Sequence, residues 1–431
     1  MTASANEAVI RRLFDGLSRS GPSIIDELYG SEFIFHPKAR SPEAYKQRLA
    51  SMRVPFGGHA SIDKIDAEGD EVRVQVTWRG THQAPFRGIE PSGRPVTWTE
   101  FDTFRVADGK VVEQWHAVDM ADPAEQLGAA LPLGKPGMGN CERTTTGYVP
   151  LPDLSAGTYE GFEGGLYPGG SNRPPAAYAA LGLERARHIV PRDDEGHPDP
   201  RGKIVLLSIG MSNTHMEYEA FKRLADADDR KHPRVVLVDG AQGSQAVDAT
   251  IDSRAGFWAA VDHRLVRAGA TPAHVQAVWL KQVTAVPREQ FPDDARHLQV
   301  SLRKVVGVLR QRFPNLQIVY LSSRIYAGYA TTPLSPEPSA YQSGFAMKWL
   351  IEEHIDATAG GGDAAERPWL AWGPYLWTDG LKGRSDGLIW ECRDCAGDGT
   401  HPSATGVEKV AQQLLEFFTT DETATPWFTR R

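Results

Sequence analysis

The chain is poor in cysteine and in uninterrupted apolar stretches, and it lacks any block of basic residues. No apolar run approaches the length of a membrane span, which excludes a transmembrane helix. The start, MTASANEAVIRRLFDGL, lacks the basic-then-apolar pattern of a secretory signal, so the expected location is the cytoplasm. The formal charge of −8, with no local basic cluster to offset it, disfavours nucleic acid and anionic membrane as partners. The three cysteines are Cys141, Cys392 and Cys395. The last two form a lone CRDC in a loop rich in Asp and Gly. A zinc site needs more ligands nearby, and a redox motif usually follows a strand and opens a helix. Plain thiols or a local disulfide are the readings left open. No metal and no cofactor are expected.

What is present divides the chain. Its 431 residues are too many for one ordinary core and imply two or three domains. Residues 1–128 open with Val9, Ile10, Leu13, Phe14 and Leu17 on one helical face. The stretches 71–82, 94–109 and 110–119 then alternate apolar and polar residues, with ADGK (107–110) as a hairpin turn. The expectation is an α+β domain, helices on a curved antiparallel sheet with one covered face. Residues 129–200 are dense in Gly and Pro, with one short helix near AAYAALGLERA. They read as a linker or a packed arm, and Phe162, Leu166 and Tyr167 among the glycines favour the arm. From 201 to 431, five apolar β-branched runs (203–210, 234–241, 274–283, 316–326 and 369–377) alternate with amphipathic helices. That pattern predicts a parallel five-stranded sheet with helices on both faces, an α/β/α three-layer domain. Chemistry in such sheets gathers at the carboxyl ends of the strands.

Four segments near those ends carry suitable residues. GMSNT (210–214) places Ser212 at a helix start, either as a nucleophile or as a cap. DGAQGS (239–244) offers the backbone N–H of Gly243. WLKQ (279–282) offers the side chain of Gln282, while Lys281 should face the other side of its strand. DGTHPS (398–403) puts Asp398 and His401 in one loop, where the carboxylate can fix the imidazole and leave its far nitrogen free for a serine proton. Ser403 is expected to cap the helix that follows.

Taken together, these four strings resemble the SGNH (GDSL-like) hydrolase family over about 203–420. The resemblance implies a flavodoxin-like fold, with Ser212 as nucleophile, His401 as general base and Asp398 as its orienter. It also implies an oxyanion site from the N–H groups of Ser212 and Gly243 and a side-chain donor at Gln282. Two positions depart from the family pattern: Met211 stands where Asp is usual, and Gln282 where Asn is usual. The implied activity is a serine esterase acting through an acyl-enzyme on a small-molecule, carbohydrate or natural-product ester. Acyl transfer or ring closure by the same triad, and a non-catalytic binding protein, are the alternatives.

The front segment resembles the SnoaL-like ester cyclases over about 6–128, through RGTH, PFRGI, RVADGK and the W-x-x-x-D of Trp115–Asp119. That resemblance implies a nuclear-transport-factor-like cone with Asp119 as the pocket acid/base. His36, His82, Glu100 and His116 are further polar candidates. Such cones also serve for binding or for pairing in a homodimer, so the fold alone does not assign activity.

Overall fold

The apolar stripe at the start of the chain lies on α1 (Ala3–Ser20), which buries Ile10, Leu13, Phe14 and Leu17. The helices α2 (Ile24–Leu28) and α3 (Pro42–Arg53) belong to the same unit. Its sheet comprises β1 (Tyr29–His36), β2 (His59–Glu68), β3 (Glu71–Thr81), β4 (Pro95–Ala107) and β5 (Lys110–Asp119), in the order β1-β5-β4-β3-β2. Alternation along β3 buries Val72, Val74, Val76 and Trp78. Trp78 faces Trp98 across the β3–β4 pair, their rings stacked 5.8 Å apart. The sheet differs from the antiparallel expectation at one edge, because β1 runs parallel to β5. The two strands are far apart in sequence and need no hairpin, so local alternation carries no sign of their direction.

This computed structural model describes residues 2–36, 42–86, 89–119, 126–127, 139–360 and 368–430. The chain divides into two compact units, Met1–Pro132 with Ser253–Ala260, and Leu133–Asp252 with Val261–Arg431.

The second unit is built on β8 (Ile204–Gly210), β9 (Val235–Asp239), β10 (Val275–Lys281), β11 (Ile318–Leu321) and β12 (Trp369–Trp372), following a short ribbon of β6 (Thr158–Tyr159) and β7 (Phe162–Glu163). The five strands are all parallel, in the order β12-β11-β10-β8-β9. Every residue of β8 and β10 is buried, as a sheet covered on both faces requires. Strand β11 ends at Leu321, so Ser322–Tyr326 form a buried loop rather than the longer strand expected. The helices of this unit are α4 (Leu151–Leu154), α5 (Ala176–His188), α6 (Ser212–Asp226), α7 (Gly256–Arg267, which begins in the first unit), α8 (Asp293–Arg312), α9 (Ser339–Ala359), α10 (Ala404–Thr420) and α11 (Thr425–Phe428).

Residues 139–200 pack into the second unit. Leu151, Tyr167 and Tyr178 are buried, and Phe162 meets Phe291 and Trp349 at 5.2 and 5.1 Å. Thr145, Thr146 and Gly147 donate four hydrogen bonds to the carboxylate of Asp379. Cys141 is joined to Cys392 across 251 residues of sequence. The cysteine expectation is corrected accordingly: the bond is long-range, and Cys395 is the free, buried thiol. Disulfides persist in oxidising compartments, so the cytoplasmic expectation gains nothing from the structure. Among the described residues, no helix is long and apolar enough to cross a membrane.

Candidate active site

Ser212 is placed by a turn that only glycine permits. A Cβ on Gly210 would lie 2.2 Å from Thr214 Oγ1 and 2.6 Å from the Lys281 carbonyl oxygen. Met211 occupies the cap position in an extended conformation, and Ser212 is the first residue of α6. The Ser212 hydroxyl does not cap the helix. It lies 2.7 Å from His401 Nε2.

The His401 ring is held from its other side by Asp398, with Nδ1 to Oδ2 at 2.6 Å. Asp398 Oδ1 accepts the N–H groups of Thr400 and His401, each at 3.0 Å. Burial opposes the charge on Asp398. The His401 ring and the two N–H groups outweigh it and hold the carboxyl down to about 2. The network therefore fixes the proton on Nδ1 and turns a lone pair toward Ser212. Gly399 permits the tight loop: its φ is +66°, and a Cβ there would fall 1.8 Å from the Tyr329 carbonyl oxygen.

Two side chains that the spacing did not single out tie the serine and histidine segments together. Asn213 Nδ2 donates to the Thr400 carbonyl at 3.1 Å. Arg324, buried just past β11, donates to the same carbonyl at 3.3 Å. Burial lowers its guanidinium, while Glu217, Glu337 and Asp398 pull the other way. Beneath the site, Lys281 Nζ pairs with Glu217 Oε1 at 2.6 Å, both side chains fully buried. Burial pushes the Lys281 ammonium down and the Glu217 carboxyl up, and their mutual attraction opposes both shifts. Lys281 is thus committed to Glu217, on the helix that Ser212 opens.

The oxyanion candidates divide. The first bond within α6 runs from His215 N–H to the Met211 carbonyl, so the N–H of Ser212 opens the helix without an acceptor inside it. The turn 239–243 is anchored by Gln242 N–H to the Gly210 carbonyl at 3.0 Å. Gly243 follows, exposed, and a Cβ there would meet nothing within 4 Å. Gln282 is different. It is fully buried, and its Nε2 donates to the Gln245 carbonyl at 2.9 Å. Its longer side chain reaches a backbone acceptor, and the structure does not bring it to Ser212 or His401 by a hydrogen bond. Ser403 also departs from expectation: it precedes α10, but its hydroxyl donates to the Arg393 carbonyl instead of capping the helix.

In the first unit, Glu100, Asp102 and His116 gather, their ligating atoms within 4.8 Å of one another and all three buried. His116 Nδ1 lies 2.8 Å from Asp102 Oδ1, which also accepts from Gln114 Nε2 at 2.7 Å. Gln114 accepts from Tyr29 at 2.8 Å and reaches Tyr45 at 3.0 Å. Glu100 accepts from Trp98 Nε1 at 3.1 Å. Burial and the nearby Asp102 raise its carboxyl, against the pull of His116. His82 stands apart from this group, its Nδ1 3.1 Å from Ser92 Oγ and its ring beside Phe56. Asp119 ends β5 opposite Thr99, and His36 ends β1 opposite Trp115. The side chains of both lie outside the described residues. Asp102 and Gln114 were not among the expected pocket residues. The available signal was polar residues at alternate positions, 100 and 102 on β4 and 114 and 116 on β5, on strands whose neighbours are apolar.

A comparison with curated proteins finds no match to the chain. Among solved structures it is similar to AclR of Streptomyces galilaeus, at 25% identity over 30% of this chain and 98% of that one, with a TM-score of 0.28. It is similar also to IdmH of Streptomyces antibioticus, at 26% identity over 29% and 99% of the two chains, TM-score 0.28. A third is TsrD of Streptomyces laurentii, at 21% identity over 30% and 99%, TM-score 0.28. The family described as SnoaL-like polyketide cyclase matches residues 7–127. The family match identifies the N-terminal region as SnoaL-like.

Proposed function

We propose that the chain is a serine hydrolase of the SGNH type, with a flavodoxin-like second unit, that cleaves a small-molecule ester through an acyl-enzyme. One observation carries the reading: Ser212 Oγ stands 2.7 Å from His401 Nε2, and His401 Nδ1 stands 2.6 Å from Asp398. In this arrangement Ser212 Oγ attacks the ester carbonyl carbon while its proton passes to His401 Nε2. Asp398 stabilises the imidazolium that forms. The carbonyl oxygen gains the negative charge, which the N–H groups of Ser212 and Gly243 and the α6 dipole can meet. Collapse breaks the ester bond, and His401 returns the proton to the departing alcohol. Water repeats the sequence and frees the acid. A fluorophosphonate probe tests the nucleophile. Labelling of the wild type and its loss in Ser212→Ala are expected. Labelling that survives the substitution removes the assignment.

We propose a second activity for the N-terminal region, proton transfer beside a carbonyl, which the resemblance to the SnoaL-like cyclases implies. The observation that favours it is the buried Asp102–His116 contact at 2.8 Å. Asp102 orients the imidazole to take the proton, and Glu100, buried beside both, is the second acid/base group of the cluster. The assay is ring closure of a linear polyketide ester. His116→Gln should abolish closure while leaving fluorophosphonate labelling at Ser212 unchanged. Closure at the wild-type rate in that variant defeats this reading alone.

A further inference from the structure

The amino ends of the strands in the second unit carry a feature that neither reading uses. A groove of about 650 Å³ lies between the end of α5, the start of β8 and the C-terminal segment. Ile204, which lines it, begins β8, and Gly210 at the other end of the strand leads to Ser212. A strand of this length puts the groove about 20 Å from the triad. Its volume lies in the range of small-molecule sites, about 300–1,000 Å³.

The lining has two chemistries. Ile189, Ile204 and Trp427 are buried and give it an apolar wall. Arg187, His232 and Arg430 give it a cationic, donor-rich side, and none of the lining residues bears a carboxylate. Neither Arg187 nor Arg430 has an acidic partner among the described residues, and both are exposed at this site. Arg430 Nε donates only to the Lys231 carbonyl, at 3.1 Å. His232 Nδ1 accepts the Arg234 N–H at 3.1 Å, which leaves Nε2 as the proton-bearing nitrogen. Burial and then the neighbouring Arg234, Lys231 and Arg430 lower its pKa. A positive potential with no counter-ion among the described residues, beside an apolar wall, is complementary to an amphipathic anion.

We propose that this groove binds a small organic carboxylate, its acyl or aryl body on Ile189, Ile204 and Trp427 and its carboxylate against Arg187 and Arg430. The site is independent of the triad chemistry.

Octanoate is the probe, titrated calorimetrically into the full chain, with octanol as the uncharged analogue and inorganic phosphate as the headless anion. Octanoate should bind at least about tenfold more tightly than either. The Arg187→Gln/Arg430→Gln pair should weaken octanoate by about tenfold or more and leave octanol unchanged. The His232 imidazole, followed by NMR, should titrate at higher pH with octanoate bound. Three results would overturn the proposal: no measurable binding, equal affinity for octanoate and octanol, or full octanoate affinity in the double variant. Phosphate binding as tight as octanoate would show that the apolar wall plays no part, and would overturn it equally.

Discussion

Asn213 donates to the Thr400 carbonyl at 3.1 Å, so the residue after the serine holds the residue before the histidine. Its side chain is buried, and Arg324 reaches the same carbonyl less closely. Replacing Asn213 by Ala should leave Ser212 and His401 present but less well aligned. The fluorophosphonate labelling rate should fall by about tenfold, the worth of roughly one hydrogen bond. An unchanged rate in a folded variant would show that the contact does not position the pair.

Asp398 links reactivity to pH stability. Its folded-state carboxyl is held at about 2, below the ordinary 3.8. A depressed carboxyl stabilises the fold above its unfolded value, and that contribution disappears as pH falls from about 4 to 2. It amounts to about 2 kcal/mol. Asp398→Asn should therefore unfold more readily than wild type at neutral pH, with the two converging below about pH 2. The same variant should lose labelling rate by orders of magnitude, because Nδ1 loses its acceptor. Urea titrations at several pH values check the first part. A stability gap that persists unchanged into strong acid contradicts it.

Lys281 and Glu217 are both fully buried, which makes each costly without the other. Glu217→Leu and Lys281→Met should each destabilise the fold by about 3–5 kcal/mol. Glu217→Leu combined with Lys281→Met should recover much of that loss, because no charge is then left stranded. Chemical denaturation of the three variants forms the cycle. Strictly additive losses would mean the two side chains do not act as a pair.

The Cys141–Cys392 bond should stabilise the second unit by about 2–5 kcal/mol. Cys141→Ser, Cys392→Ser and reductant on the wild type should lower the urea midpoint alike. Cys395 lies buried, its thiol pushed up to about 12 by burial and then by Asp394, so Cys395→Ser should leave thiol sensitivity intact. A wild-type midpoint indifferent to reductant would contradict the first expectation.

How much of this was legible follows from the reach of each signal. The five parallel strands repeat an apolar, β-branched pattern, and all five were readable even where β11 stops early. GMSNT spans a strand end and a helix start and DGTHPS a single loop, and the two short strings read together nominated Ser212, Asp398 and His401. Partners supplied by distant segments were not readable. Arg324 follows a strand that carries no motif, Cys141 sits far from Cys392, and β1 pairs with a strand it never adjoins in sequence. The placement of the Gln282 amide was not readable for another reason. One extra methylene lets its amide bond the Gln245 carbonyl, and sequence does not measure reach.

The Cys141–Cys392 link also makes most of the second unit one closed ring of chain. A protease that cuts once anywhere between those two residues opens the ring without dividing the molecule. The fragments should travel as a single band on a gel until a thiol is added, then separate. Damage to an outer loop would in that way leave the segment bearing Ser212 tethered to the segment bearing His401.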